Sequence, residues 1–158
     1  MLNEELYTTR PVRRDDLKTA WGILLEAYDD YCRKHPKDRP SRMDYSDFEE
    51  IFDDRCIEMY FAESDSKPVG VFYVVSKYYG RKNLSRFWIR PEWEDKGVFS
   101  YIIRSFELLY KDAKSLSIGT LQLTKRQIKE CEKLGWVVSS RMERIYDGVA
   151  VVDLERKF

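Results

Sequence analysis

Leu84–Tyr110, LSRFWIRPEWEDKGVFSYIIRSFELLY, joins a strand, a charged turn and a helix in one unit. It opens as a short aromatic strand, Leu84–Arg90, and turns through Pro91-Glu92-Trp93-Glu94-Asp95-Lys96-Gly97. An apolar helix follows, with Val98, Ile102, Phe106 and Leu109 spaced to share one face and Ile103 and Tyr110 beside it. A strand that feeds a charged turn with one glycine, and then a helix, brings a ligand site to a helix N-terminus. The first-turn N–H groups there lack intrahelical partners and favour an anion.

Outward from this unit, the sequence alternates between the two periodicities. On the N-terminal side, Leu6–Val12 reads as a strand and about Asp15 to Tyr31 as a helix carrying Leu17, Ala20, Trp21, Leu24, Leu25 and Tyr28 inward. Arg33–Met43, with two prolines, reads as a loop. Tyr45–Phe52 reads as a short helix with Ser46 as its cap. Ile57–Glu63 and Pro68–Lys77 form a hairpin around Ser64–Lys67, and Tyr78–Asn83 turns into the central strand. On the C-terminal side, Ser115–Leu123 is a strand in which Gly119 marks a bulge or a splay. Lys125–Leu134 is a helix capped by Thr124 and ended by Gly135. Trp136–Tyr146 and Val149–Leu154 close the chain as a hairpin around Asp147-Gly148.

With 158 residues, 43% of them apolar, the chain suffices for one domain with a substantial core, spanning residues 1–158. Lysine plus arginine balances aspartate plus glutamate at 28 each, which gives no support to bulk binding of nucleic acid or an anionic membrane. No run approaches the roughly 20 apolar residues that span a bilayer. Cys32, Cys56 and Cys131 are scattered and odd in number, and the N-terminus is not of the secretory kind. They read as reduced thiols of a cytoplasmic protein. One histidine, His35, with three dispersed cysteines makes no metal site.

The central unit resembles the acyl-CoA-binding segment of the GNAT acetyltransferases. Ile89-Arg90-Pro91 is similar to the family's strand end, Trp93 to its usual aromatic, and Gly97 to the first glycine of its pyrophosphate loop. "TRPVRRDDL", "KPVGVFYVV" and "ECEKLGW" resemble the family's opening, third strand and C-terminal signature. The resemblance covers almost the whole chain. It implies an α+β fold in the order β1-α1-α2-β2-β3-β4-α3-β5-α4-β6-β7, with a twisted mixed sheet of about seven strands and four helices. It implies acetyl-CoA, or another acyl-CoA, as cofactor, contacted by Ile89, Asp95, Lys96, Gly97, Val98, Phe99 and Ser100. The acyl acceptor would be an amine of a small molecule or a protein.

Four positions depart from the family pattern: Glu94 replaces Gln or Arg, Phe99 replaces Gly or Ala, Thr124 replaces Asn, and Cys131 replaces the tyrosine that protonates the leaving thiolate. Cys131 is therefore the candidate acid, with Tyr101 and Tyr110 as substitutes. Glu58, Glu92, Ser117 and Thr120 are candidate bases, and His35, Lys37, Asp38 and Arg39 are candidate acceptor contacts. A second reading stays open, a non-catalytic GNAT-fold interaction module that has lost CoA, as a homodimer or within a larger assembly. Trp88, Trp93, Phe99, Tyr78 and Tyr79 are its candidate interface. A third reading has RNA held by Arg81, Lys82, Arg86 and Arg90, and the balanced charge argues against it.

Overall fold

The computed structural model describes residues 6–37, 41–143 and 149–157. Asp38, Arg39 and the Asp147-Gly148 turn lie outside the described residues, as does the side chain of Thr120. The strands are β1 (Thr8–Pro11), β2 (Ile57–Ser64), β3 (Lys67–Lys77), β4 (Arg81–Ile89), β5 (Ser115–Thr124), β6 (Val137–Glu143) and β7 (Val149–Lys157). The helices are α1 (Leu17–Lys34), α2 (Tyr45–Asp53), α3 (Val98–Leu109) and α4 (Lys125–Lys133). They interleave in the expected order and make one seven-stranded mixed sheet, β1-β2-β3-β4-β5-β7-β6, in which only β4 and β5 run parallel.

Period-two alternation divides the sheet's side chains between two cores. Tyr60, Ala62, Phe72, Val74, Leu84, Leu116 and Ile118 join Val98, Ile102, Ile103 and Phe106 of α3 and Ile128 of α4. Met59, Phe61, Val71 and Tyr73 join Leu17, Ala20, Ile23 and Leu24 of α1 and Phe48 of α2 on the other face. Burying each large apolar side chain contributes about 1.5–3 kcal/mol. The helices therefore hold the sheet from both sides.

Several boundaries move. A 3-10 turn, Arg14–Asp16, precedes α1, which runs on to Lys34. The acidic residues read as the helix start lie in that turn, where Asp16 binds Arg10 at 2.8 Å. Helix α2 is capped by Asp44, not Ser46: the Asp44 carboxylate accepts from the Asp47 N–H at 2.9 Å, and Ser46 donates its hydroxyl to the same carboxylate. Strand β4 begins at Arg81, so the turn before it is only Tyr78–Gly80. The cap of α4 is Thr124 as read, accepting from the Gln127 N–H at 3.2 Å while Gln127 accepts from the Thr124 N–H at 3.0 Å. Thr124→Ala removes the side-chain acceptor of this box and keeps the backbone N–H that Gln127 accepts, and urea unfolding should show a loss of about 1 kcal/mol.

Candidate functional site: a forked sheet above a charged turn

Strand β4 pairs with β5 only from Arg81 to Leu84, against Ser115 to Ile118. Beyond that row the two strands part. Ser85–Ile89 stay with β3, while β5 follows β7 and resumes pairing at Leu121 after a register shift. A second irregularity lies at the same point. Leu84 faces Val74 and Arg86 faces Tyr73, so Ser85 is an extra residue, a bulge at the start of the parted segment. It lets Leu84, Phe87 and Ile89 all meet the α3 side, while Trp88 joins the opposite core.

At the apex of the fork, Asn83 is buried and binds both branches. Its Oδ1 accepts from Ser117 Oγ at 2.7 Å, and its Nδ2 donates to Ser85 Oγ at 2.7 Å. Gly119 leaves room for this carboxamide, since a Cβ there would lie 2.9 Å from Asn83 Oδ1. Gly119, read as a bulge or splay, thus sits at the shift between Ile118 and Leu121.

The turn after β4 is held from several sides. Trp93 donates its N–H to the Arg90 carbonyl at 2.8 Å, and Arg90 Nε donates to the Pro68 carbonyl at 2.9 Å. The Tyr7 hydroxyl donates to the Lys96 carbonyl, and its ring lies 6.3 Å from Trp93 and 5.3 Å from Tyr101. Gly97 follows at φ 82°, a left-handed conformation natural to glycine, and caps α3. Tyr101 donates its N–H to the Gly97 carbonyl at 3.0 Å. The Val98, Phe99 and Ser100 amides before it have no acceptor within the helix.

Charge around this turn is arranged in pairs. Glu94 binds Lys34 at 2.9 Å, and Asp95 binds Arg126 at 3.2 Å. Arg126 also reaches Glu130 at 3.4 Å, and Glu130 accepts from Ser100 Oγ at 2.7 Å. Lys96 stands 4.9 Å over the Trp93 ring. Ser100 and its neighbours are therefore already beside a carboxylate. Against that, Lys34 and Arg126 bring two cations that local sequence gave no reason to place here. Exposed pairs of this kind are worth about 0–1 kcal/mol, so either cation can turn to another anion.

Phe99 is 4% exposed, and its ring lies 5.2 Å from Phe87 on the parted half of β4. Ile89 is buried at the end of that strand, and Glu92 is exposed in the turn. Glu58 lies two strands from β4, on the face that α3 covers. It accepts from the Tyr60 and Tyr110 hydroxyls at 3.2 and 3.0 Å, and those hydroxyls lie 2.9 Å apart. Burial holds both tyrosines above the usual phenol range. Tyr110 follows the last residue of α3, which places the trio at the end of that helix remote from Gly97.

Cys131 is fully buried among apolar side chains. Burial, with Glu130, Glu107 and Glu132 adding to it, pushes the thiol up to about 12. A thiol so placed stays protonated and sheltered. We expect exposed Cys56 to react with a water-soluble thiol reagent in the native protein, and Cys131 to react only on unfolding, as mass mapping after labelling would show.

The five aromatics taken as one surface do not form one. Trp88 lies 6.2 Å from Phe48 under α2, Phe99 packs on the α3 side, and Tyr78 and Tyr79 project at the β3–β4 turn, 86% and 84% exposed. Arg90 is engaged by Glu26 and Pro68. Among the described residues there is no group of three or more potential ligands placed to hold a metal, and no helix long and apolar enough to cross a membrane.

No family model matches the sequence, and no curated protein matches it. Solved structures do match the fold. The ribosomal-protein-S18-alanine N-acetyltransferase of Escherichia coli superposes with a TM-score of 0.73 at 11% identity, over 96% of this chain and 93% of that one. A spermidine N-acetyltransferase from Vibrio cholerae, solved with CoA and spermine, gives 0.72 at 14% over 97% and 96%. A GCN5-related N-acetyltransferase from Kribbella flavida gives 0.76 at 10% over 99% and 100%. The seven-stranded mixed sheet with its four helices thus has the fold of the GNAT N-acetyltransferases.

Proposed function

We propose that this protein is an N-acyltransferase that moves an acetyl or other acyl group from acyl-CoA to the amine of a small molecule or a protein. The observation that carries this reading is the fork. Four paired rows end at Leu84, and the backbone edge of Ser85–Ile89 is left without β5 as a partner. An extended arm bearing amides is the kind of ligand that such an edge accepts. At its far end, the Val98, Phe99 and Ser100 amides, with Gly97, Lys96 and Asp95 around them, would hold a pyrophosphate, and Lys34 and Arg126 supply the positive charge. Acyl-CoA, when bound, supplies an activated acyl carbon. The chain's own part is to orient the amine, draw off its proton and keep competing water away. Reduced thiols agree with a cytoplasmic setting.

One observation favours the other reading, a GNAT-fold interaction module without cofactor. The Phe99 ring is packed where the family's small residue lets backbone and ligand approach. Calorimetric titration of acetyl-CoA and of CoA at moderate salt decides between them. A dissociation constant in the micromolar range, followed by thiol release with an amine, supports the transferase. No heat and no thermal shift at millimolar ligand would transfer the weight to the module.

A further inference from the structure

A cavity of about 430 Å³ opens at the fork on the face away from α3 and α4. Its position follows from alternation. Leu116, Ile118 and Leu154 point into the α3–α4 core, so Ser117, Gly119, Asp153 and Glu155 face the other way. Asn83, Ser117 and Glu155 are partners in one row across β4, β5 and β7. The floor is therefore the Ser117–Asn83–Ser85 hydrogen-bonded chain, with Glu155 one strand beyond Ser117, about 5 Å per strand.

The walls differ in sign. On the β3–β4 side stand Lys77 and Arg86, the latter beside its cross-strand partner Tyr73. On the β7 side stand Asp153 and Glu155. The volume falls within the roughly 300–1,000 Å³ typical of small-molecule sites. A simple cation would meet Lys77 and Arg86 on one wall, and a simple anion would meet two carboxylates on the other. A molecule with both charges a few ångströms apart satisfies both walls.

We propose that this cavity is the acceptor site and that its acceptor is a small zwitterion of the free amino acid type, ammonium toward Asp153 and Glu155, carboxylate toward Arg86 and Lys77. The proposal rests on the acyltransferase reading above. It also makes Glu155 the group that receives the first ammonium proton. That proton passes to solvent, the freed lone pair forms the nitrogen–carbon bond as the carbon–sulphur bond breaks, and the second proton ends on the thiol.

The test has two arms. In the first, L-alanine, L-glutamine and L-phenylalanine, their methyl esters and spermidine are each titrated calorimetrically into the protein, with and without CoA. In the second, thiol release from acetyl-CoA is measured with the same amines for the parent, Arg86→Gln and Glu155→Gln. At least one free amino acid should bind and react, with its ester and spermidine weaker by about tenfold or more. Arg86→Gln should raise KM for the amino acid by about tenfold and leave KM for its ester within about twofold. Glu155→Gln should lower kcat by about a hundredfold and flatten its rise with pH. Equal or better use of esters or spermidine, or Arg86→Gln weakening both alike, would overturn the zwitterion. Should CoA fail to bind, the transferase reading falls. The first arm still decides the pocket, since amino acid binding upholds the charge pairing and no binding by any of the three refutes it.

Discussion

Phe106→Ala is expected to lose about 3–5 kcal/mol of folding stability. Phe106 is fully buried at the centre of the α3 face. Its ring stacks 6.1 Å from Trp136 and meets Tyr110 edge-on at 5.7 Å. Trp136 cannot simply move into the space, because its Nε1 donates to Glu107 at 2.9 Å and its backbone N–H donates to the Cys131 carbonyl at 3.0 Å. The cavity therefore stays largely open, and an open cavity adds its own cost to the lost transfer free energy. A typical domain is stable by about 5–15 kcal/mol, so this one ring carries a large share. Leu108→Ala is the control on the same helix: Leu108 is 68% exposed, and its removal should change stability by no more than about 0.5 kcal/mol. Urea unfolding of the two variants measures the difference. A Phe106→Ala loss below 1 kcal/mol would mean that α3 does not pack on the sheet through this face.

The same helix shows what the sequence makes legible. Val98, Ile102 and Phe106 repeat at helical spacing and are all buried, because that spacing and the face it creates are local properties. Leu109, read with them, is 42% exposed, since the helix ends there and the period has nothing left to face. Strands were readable for the same reason, as alternation in β2 and β3 needs no knowledge of partners. The turn's charge was not. Glu94 reads as a lone repulsive carboxylate until Lys34, sixty positions earlier, is placed beside it, and Arg126 comes to Asp95 across thirty-one. Nor could spacing find the cavity at the fork. Asp153 and Glu155 come from the last strand, and only the register of β4, β5 and β7 sets them beside Asn83 and Ser117. Gly119 was the one local signal at that point. That Cys131 lies on α4 was readable from spacing, but the direction and depth of its side chain belong to packing.

The second large effect concerns ligand rather than stability. Phe99→Gly combined with Glu94→Arg is expected to create CoA binding, or to tighten it by about tenfold or more. Glu94→Arg changes the charge beside the α3 N-terminus by two units and releases Lys34, which keeps Asp30 at 2.9 Å as a partner. At the surface, each favourable charge pair is worth about 1 kcal/mol or less. Two altered charges facing a pyrophosphate thus account for roughly a tenfold change. Phe99→Gly acts differently, by removing the ring packed on Phe87 and letting the first-turn backbone approach a ligand. It also sacrifices core packing, about 3–5 kcal/mol by analogy with other buried phenylalanines, so circular dichroism must first show the variant folded. Glu94→Arg alone separates the two contributions. Its gain should shrink as salt is raised, since the Debye length is about 8 Å at physiological ionic strength, whereas a gain from Phe99→Gly should persist. Titration of CoA into the parent, both single variants and the double variant resolves this. Unchanged affinity in a folded double variant would mean that the turn from Pro91 to Gly97 does not receive the pyrophosphate, and that the fork serves some other ligand.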